Sequence, residues 1–148
     1  MIRRGTWRPS QASTGAALPV VQIAVLTTCL IRGLDYLRPD IDPTSVLSRV
    51  QDSAPLQAWG LVFVTAAVAG AVGLIGRWGT VVAAGHILGM AAYGGISFGL
   101  FQETGWGPGV RTPAGLALTA VIHCALGVGI LASLRRREMI AALPLEAP

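Results

Sequence analysis

Residues 55–101 read PLQAWGLVFVTAAVAGAVGLIGRWGTVVAAGHILGMAAYGGISFGLF, and Arg77 is the only Asp, Glu, Lys or Arg in this stretch. The stretch divides into two apolar runs, 55–76 and 80–101, each of 22 residues. Crossing a hydrocarbon core of about 30 Å takes roughly 20 helical residues. Because the runs are joined only by Gly76-Arg77-Trp78-Gly79, we predict an antiparallel hairpin of two membrane-spanning helices.

Two further apolar runs flank this hairpin. The first extends from Ala16 to Ile31 and is predicted to form a span over about residues 16–37, and the last is predicted over residues 113–134. Hydrophobic residues make up 53% of the chain and charged residues 12%, which leaves too little polar surface for a soluble domain. We therefore predict a single all-α membrane domain, a polytopic four-helix bundle, with residues 1–15 and 135–148 as flexible cytoplasmic tails.

The connection between the first and second spans contains a short helical pattern. Asp42 is a suitable N-cap, and Pro43 suits the first turn of a helix. Val46, Leu47 and Val50 would then share one face. We predict a short amphipathic external helix that lies on the outer membrane surface or covers the end of the bundle, with an irregular loop as the alternative.

The distribution of arginine predicts the orientation of the bundle. With the N-terminus inside, seven arginines lie on the cytoplasmic side and four outside, which the positive-inside rule favours. Both termini are then predicted to be cytoplasmic. The seven are Arg3, Arg4, Arg8, Arg77, Arg135, Arg136 and Arg137, and the four are Arg32, Arg38, Arg49 and Arg111.

Tryptophan and arginine at the span ends predict the membrane interfaces. An indole is amphipathic and prefers the headgroup zone, and arginine anchors a span end there. The predicted interface anchors are Trp59, Trp78, Trp106, Arg77, Arg135, Arg136 and Arg137.

Small residues predict how the spans pack. Lipid tails are as apolar as leucine, so helices associate in a membrane through close backbone approach at small residues. Four small-xxx-small patterns, on the second and third spans, predict a tightly packed core, in which we expect Gly89 to meet the second span. A minority of these glycines are expected to form an oligomer face. The predicted packing glycines are Gly70, Gly73, Gly85, Gly89, Gly95 and Gly99.

Two histidines lie within spans, where polar residues are the first functional candidates. Haem ligation or a proton relay by His86 and His123 is one interpretation. Counted from the inner ends of their spans, however, the two depths differ by about 5 to 8 Å. We therefore expect each histidine to bond a backbone carbonyl or a neighbouring hydroxyl. Gln22 should reach another helix or a partner subunit, because its amide has four bonding sites.

Charge and chemistry narrow the function classes. The net charge of +4 lies at membrane boundaries, which indicates lipid headgroups and not nucleic acid as the partner. No cofactor fingerprint, nucleophile motif or metal-ligand cluster is present, so we predict no enzyme, no metal and no cofactor. No span is predicted to hold a charged residue in its interior, which counts against an ion-coupled transporter. All eleven basic residues are arginine, which favours a bacterial or phage source.

A family resemblance rests on four spans, a long first external loop and two stretches of sequence. These are Ile31-Arg32-Gly33-Leu34-Asp35-Tyr36 and Gly70-Ala71-Val72-Gly73-Leu74-Ile75-Gly76-Arg77. Over residues 18–100 the chain resembles the DoxX family of small bacterial membrane proteins, whose glycine-rich second helix ends in an arginine turn. The acidic residue expected early in that helix is absent near Trp59-Gly60. The resemblance implies association with membrane redox proteins.

These features predict a multi-pass protein of the bacterial inner membrane that acts as a non-catalytic accessory or assembly partner. Its expected partners are the lipid bilayer and either another membrane protein or a second copy of the chain. Three alternatives stay open: a phage-related holin-like or exclusion protein, a haem- or quinone-binding redox subunit, and a small transporter.

Overall fold

The computed structural model describes Trp7, residues 17–38 and residues 48–142. Within these residues the chain forms five helices and no strand: α1 (Ala17–Tyr36), α2 (Ser48–Ser53), α3 (Leu56–Gly76), α4 (Gly79–Thr104) and α5 (Arg111–Ala141). All but α2 are long and apolar enough to cross a membrane. The prediction of an all-α chain with four candidate membrane spans is confirmed.

The turn between α3 and α4 reverses the chain within two residues. Arg77 adopts the left-handed conformation, with φ of 62°. Its N–H donates to Leu74 O at 3.3 Å, and the Trp78 N–H donates to Gly73 O at 2.8 Å, which is the hydrogen-bond pattern of a Schellman motif. The Trp7 N–H donates to the Arg77 carbonyl at 3.2 Å and closes the turn from outside. We call this end of the bundle the Arg77 end, and the opposite end, where α4 meets α5, the Gly105 end.

Helix α4 is the centre of the bundle. Half of the residues in its most apolar 18-residue stretch are buried, whereas a third or fewer are buried in the corresponding stretches of the other three long helices. It packs on α3 on one side and on α5 on the other, while α1 packs mainly on α3. A Cβ atom added at Gly85 would lie 2.6 Å from Gly70 N and 2.7 Å from Ala66 O. The backbones of α3 and α4 are therefore in direct contact, as expected for helices that associate through small residues.

A second close approach joins α1 to α3. A Cβ atom at Gly33 would lie 2.8 Å from Val64 N, and one at Gly60 would lie 3.0 Å from Gly33 O. Nearer the Arg77 end, Gly70 leaves room for the side chain of Leu26. Glycine thus sets the spacing of both helix pairs that involve α3.

The predicted packing glycines contact several different elements. Gly89 does not meet α3 as predicted, because a Cβ there would lie 2.7 Å from the His123 ring of α5. Four residues turn an α-helix by about 400°, so Gly89 is rotated by about 40° from Gly85. The His123 side chain of α5 reaches this position and occupies the space beside Gly89. The remaining contacts of added Cβ atoms are Gly73 with Val82 of α4, Gly95 with Trp59 of α3, and Gly99 with Val50 of α2.

Helix boundaries differ from the predictions at several ends. Helix α5 continues through Arg135, Arg136 and Arg137 to Ala141, where a flexible tail was predicted. Arg, Glu, Met and Ala are good helix formers, so the helix extends beyond its apolar stretch. Helix α1 ends at Tyr36, so Arg32 and Asp35 lie near its C-terminal end, within the predicted bounds of 16–37.

Helix α2 lies against the Gly105 end. Val50 is buried in contact with Gly99, and the Arg49 N–H donates to the Glu103 carboxylate at 2.9 Å. These two contacts fix α2 across the end of α4. The predicted cap and first turn, Asp42 to Leu47, lie outside the described residues.

The contact at Gly85 predicts the effect of one added methyl group. In Gly85→Ala the new Cβ meets backbone atoms, which cannot rotate away, so the free energy of unfolding in detergent should fall by about 1 to 3 kcal/mol. Gly94→Ala, on the same helix, is the matched control because its Cβ would meet only Ala120, at 3.9 Å. Thermal unfolding should show Gly94→Ala at or above wild-type stability, since alanine favours helix more than glycine does. Equal losses in both variants would contradict this packing.

Candidate functional site

A histidine pair lies at the centre of the bundle. His86 of α4 and His123 of α5 are both fully buried, and their Nδ1 atoms are 3.0 Å apart. The ring centroids lie 5.1 Å apart with an interplanar angle of 55°. The expectation of separate depths is wrong, because the two imidazoles bond each other. The expected bond to a carbonyl is found for His123, which also has a backbone hydrogen bond with Val25.

The register of α4 against α5 explains the equal depth. Near the Gly105 end the Ser97 hydroxyl donates to the Pro113 carbonyl at 2.7 Å. His86 lies eleven residues before Ser97, and His123 lies ten residues after Pro113. At a rise of about 1.5 Å per residue, antiparallel helices then place both histidines at nearly the same level. The depths counted from the inner ends of the predicted spans were wrong because α5 continues past residue 134. Residue 134 therefore does not lie at the same membrane depth as the start of α4.

The hydrogen bonds assign the proton on each ring. A bond between two Nδ1 atoms requires one donor and one acceptor. If His123 donated, the proton of His86 would sit on Nε2, which is buried without a partner. A buried N–H without a partner is rarer than a bare lone pair, so His86 carries its proton on Nδ1 and His123 accepts. His123 then carries its proton on Nε2, directed at Cys29.

Two further side chains complete the site around His123. The Cys29 sulfur of α1 lies 3.5 Å from His123 Nε2 and is fully buried. The Tyr93 ring stacks on the His123 ring, with centroids 5.6 Å apart at 28°. Sequence reasoning did not connect these residues, although Cys29 lies seven residues after Gln22, and Tyr93 seven after His86. Residues seven apart return to one helix face, and that spacing was the available signal.

Gln22 is the most unusual buried residue of α1. Its side chain is fully buried, and neither amide atom has a hydrogen-bond partner. Because α1 and α4 run parallel, the spacings from Cys29 and Tyr93 place Gln22 near the depth of His86. Leaving a buried polar group unpaired costs about 1 to 3 kcal/mol. Among the described residues the amide makes none of the predicted hydrogen bonds to another helix.

The pair does not fit a haem. Metal–imidazole bonds of about 2.0 Å, as for zinc, put two axial nitrogens roughly 4 Å apart across a metal ion. The two Nδ1 atoms are closer than that and bond each other directly. The His123 ring also fills the space beside Gly89. Within residues 17–38 and 48–142, with Trp7, no three His, Cys, Asp or Glu side chains form a metal-binding group.

The predicted interface anchors have different environments. Trp106 is 87% exposed at the Gly105 end, whereas Trp78 packs against Gly76 at the Arg77 end. Trp59 turns into the bundle against Gly95, and its Nε1 is buried without a partner. The headgroup contact predicted for the Trp59 N–H is therefore not available in this conformation. Arg135, Arg136 and Arg137 lie in α5 beyond its apolar part and before its last turn.

Comparisons of the chain with protein-family models, curated proteins and solved structures match nothing.

Proposed function

We propose that this protein is a non-catalytic accessory or assembly partner in the bacterial inner membrane, and that α5 is the helix that binds the partner. The partner is another membrane protein or a second copy of the chain. The proposal rests on one contrast, between the side chains that α5 and α1 expose to the surroundings of the bundle.

The α5 outer face consists of exposed residues with small side chains. Six of the nine exposed residues over the apolar part of α5 are glycine or alanine. An added Cβ at Gly115 or Gly129 would meet nothing within 4 Å. The nine residues are Ala114, Gly115, Ala117, Leu118, Val121, Ala125, Val128, Gly129 and Ala132.

Helix α1 exposes the opposite kind of surface. Its exposed large side chains include Val20, Val21, Ile23, Leu30, Ile31 and Leu34. Such residues suit contact with lipid chains, whereas small residues let a second helix approach closely.

Glycine on a lipid-facing surface has a cost that the single bundle does not offset. Each glycine inside a helix costs about 0.5 to 1 kcal/mol relative to alanine. At Gly85 and Gly33 the close approach of α3 compensates for this cost. At Gly115 and Gly129 no such neighbour lies in the bundle, so a helix from another chain is the natural source of the compensating contact.

The proposed orientation has the Arg77 end in the cytoplasm. Arg77 lies at this end, as do Arg135, Arg136 and Arg137 in the C-terminal part of α5. Trp7, the sequence neighbour of Arg8, also lies there, against Gly79. Four of the seven arginines predicted to be cytoplasmic are thus together at one end, which supports this orientation by the positive-inside rule.

Reporter fusions test the orientation. Alkaline phosphatase needs disulfides that form only outside the cytoplasm. Fusions after Arg49 and Gly107 should be active, and fusions after Arg77 and Met139 should be silent. The reverse pattern of activity would show that the bundle has the opposite orientation in the membrane.

A substitution on the α5 outer face tests the association. Gly129→Leu should fill the space needed by the partner helix, so the protein purified in mild detergent should lose its bound partner or second copy. The stability of the bundle itself should stay within about 0.5 kcal/mol of wild type, because nothing in the bundle meets this position. Mass measurement by light scattering, with identification of co-purified chains, provides the readout.

Ala24→Leu on α1 is the matched control for Gly129→Leu. It enlarges an exposed small residue on a face that already carries large side chains, so the complex should persist. A wild-type protein that purifies as a single chain with nothing bound would contradict the proposal. Equal loss of partner in both variants would assign the interface to another face.

A further inference from the structure

A cleft with charged and apolar lining residues opens between α1 and α4 near the Gly105 end. Its volume is about 600 Å³. It lies along one side of α1, with the Tyr93 ring of α4 as its inner wall. The lining residues are Thr28, Ile31, Arg32, Leu34, Asp35, Arg38 and Tyr93. We call it the Arg32 cleft.

Arg32 is a half-buried cation inside a membrane-spanning helix. Its guanidinium donates to the Tyr36 hydroxyl at 3.1 Å and lies 5.9 Å and 5.6 Å from the ring centroids of Tyr36 and Tyr93. Cation–π contacts hold a guanidinium in place without neutralising it. Arg32 lies four residues before the end of α1, about 6 Å along the helix axis. A charge at such a position is costly unless an opposite charge accompanies it.

No acidic side chain among the described residues pairs with Arg32. The nearest candidate, Asp35, lies 4.0 Å from the Arg38 guanidinium, and both of those side chains are mostly exposed. A guanidinium has five N–H donors in a planar fork that matches the oxygens of a phosphate. Arg32 therefore retains donors and a charge that an anion in the cleft can satisfy.

The other lining residues favour a lipid over a free anion as the molecule that binds in the cleft. Ile31 and Leu34 are 63% and 54% exposed beside Arg32, and they offer an apolar surface along which an acyl chain can lie. Arg38 lies two residues beyond the end of α1 and adds a second guanidinium to the lining, with the Asp35 carboxylate 4.0 Å from it. The cleft therefore joins a phosphate-binding group to an apolar surface, and a phospholipid carries both complementary parts in one molecule.

We propose that the Arg32 cleft binds a phospholipid, with the Arg32 guanidinium on the phosphodiester and an acyl chain against Ile31 and Leu34. The site is separate from the α5 outer face and does not depend on the proposed partner. Tyr36 and Tyr93 position the guanidinium, and their rings exclude water from its inner side.

Native mass spectrometry of the full chain in detergent tests this site. The delipidated protein is titrated with phosphatidylglycerol, with diacylglycerol of the same acyl chains, and with inorganic phosphate. Phosphatidylglycerol should bind at one site, with at least about tenfold higher affinity than diacylglycerol, since a hydrogen bond to a charged group contributes that much. Millimolar inorganic phosphate should not displace it. Equal binding of diacylglycerol, or displacement by inorganic phosphate, would overturn the proposal.

Variants assign the binding to Arg32. Arg32→Gln should weaken phosphatidylglycerol binding about tenfold or more, and Arg32→Lys should restore part of the loss, because lysine keeps the charge without the planar fork. Arg111→Gln is the control, since Arg111 is an exposed arginine at the same end and lies outside the cleft. Equal losses in Arg32→Gln and Arg111→Gln would mean that the lipid binds by surface charge alone, against the proposal. If Arg32→Gln does not fold, the comparison of the three ligands on the wild-type protein still tests the proposal.

Discussion

The direct backbone contact of α4 with α3 at Gly85 is the constraint on which the rest of this bundle depends. Hydrophobic burial gives helices little reason to associate in lipid, so contact has to come from dispersion between closely approaching backbones. At Gly85 an added Cβ would lie under 3 Å from backbone atoms of both Ala66 and Gly70. Once α4 is held there, α5 packs on its other side, and the histidines meet between α4 and α5.

The number of helices and their order could be predicted from the sequence because both follow from length and hydropathy. Residues 55–101 predict a hairpin, and the four-residue connection at Arg77 permits no other arrangement of neighbours. The glycine patterns likewise predict that these helices touch. These properties belong to one helix or to two helices adjacent in the sequence, so the pattern of residues along the chain is enough to predict them.

The candidate site could not be predicted in the same way because it depends on helix register. The two histidine depths were counted from predicted span ends, whereas the register is set by contacts such as Ser97 with Pro113. An error of a few residues at one end, here the extension of α5 to Ala141, moves a side chain by several ångström. The partner of Gly89 was missed for a related reason, since a central helix presents glycines to two neighbours.

Polar groups in this bundle divide between a dry interior and two outward surfaces. The buried His86–His123 bond and the unpaired Gln22 amide lie inside. The α5 outer face and the Arg32 cleft face outward, and each offers something that the chain itself does not use: space beside glycine in one case, and an uncompensated cation in the other. This division supports the proposed binding role.

Nitrogen NMR of the histidine-labelled protein in lipid bilayers tests the central claim most directly, because the chain has only two histidines. The account predicts a correlation across the hydrogen bond between the two Nδ1 atoms, with one ring protonated on Nδ1 and the other on Nε2. Two rings in the same tautomer with no such correlation would show that α4 and α5 do not meet in this register.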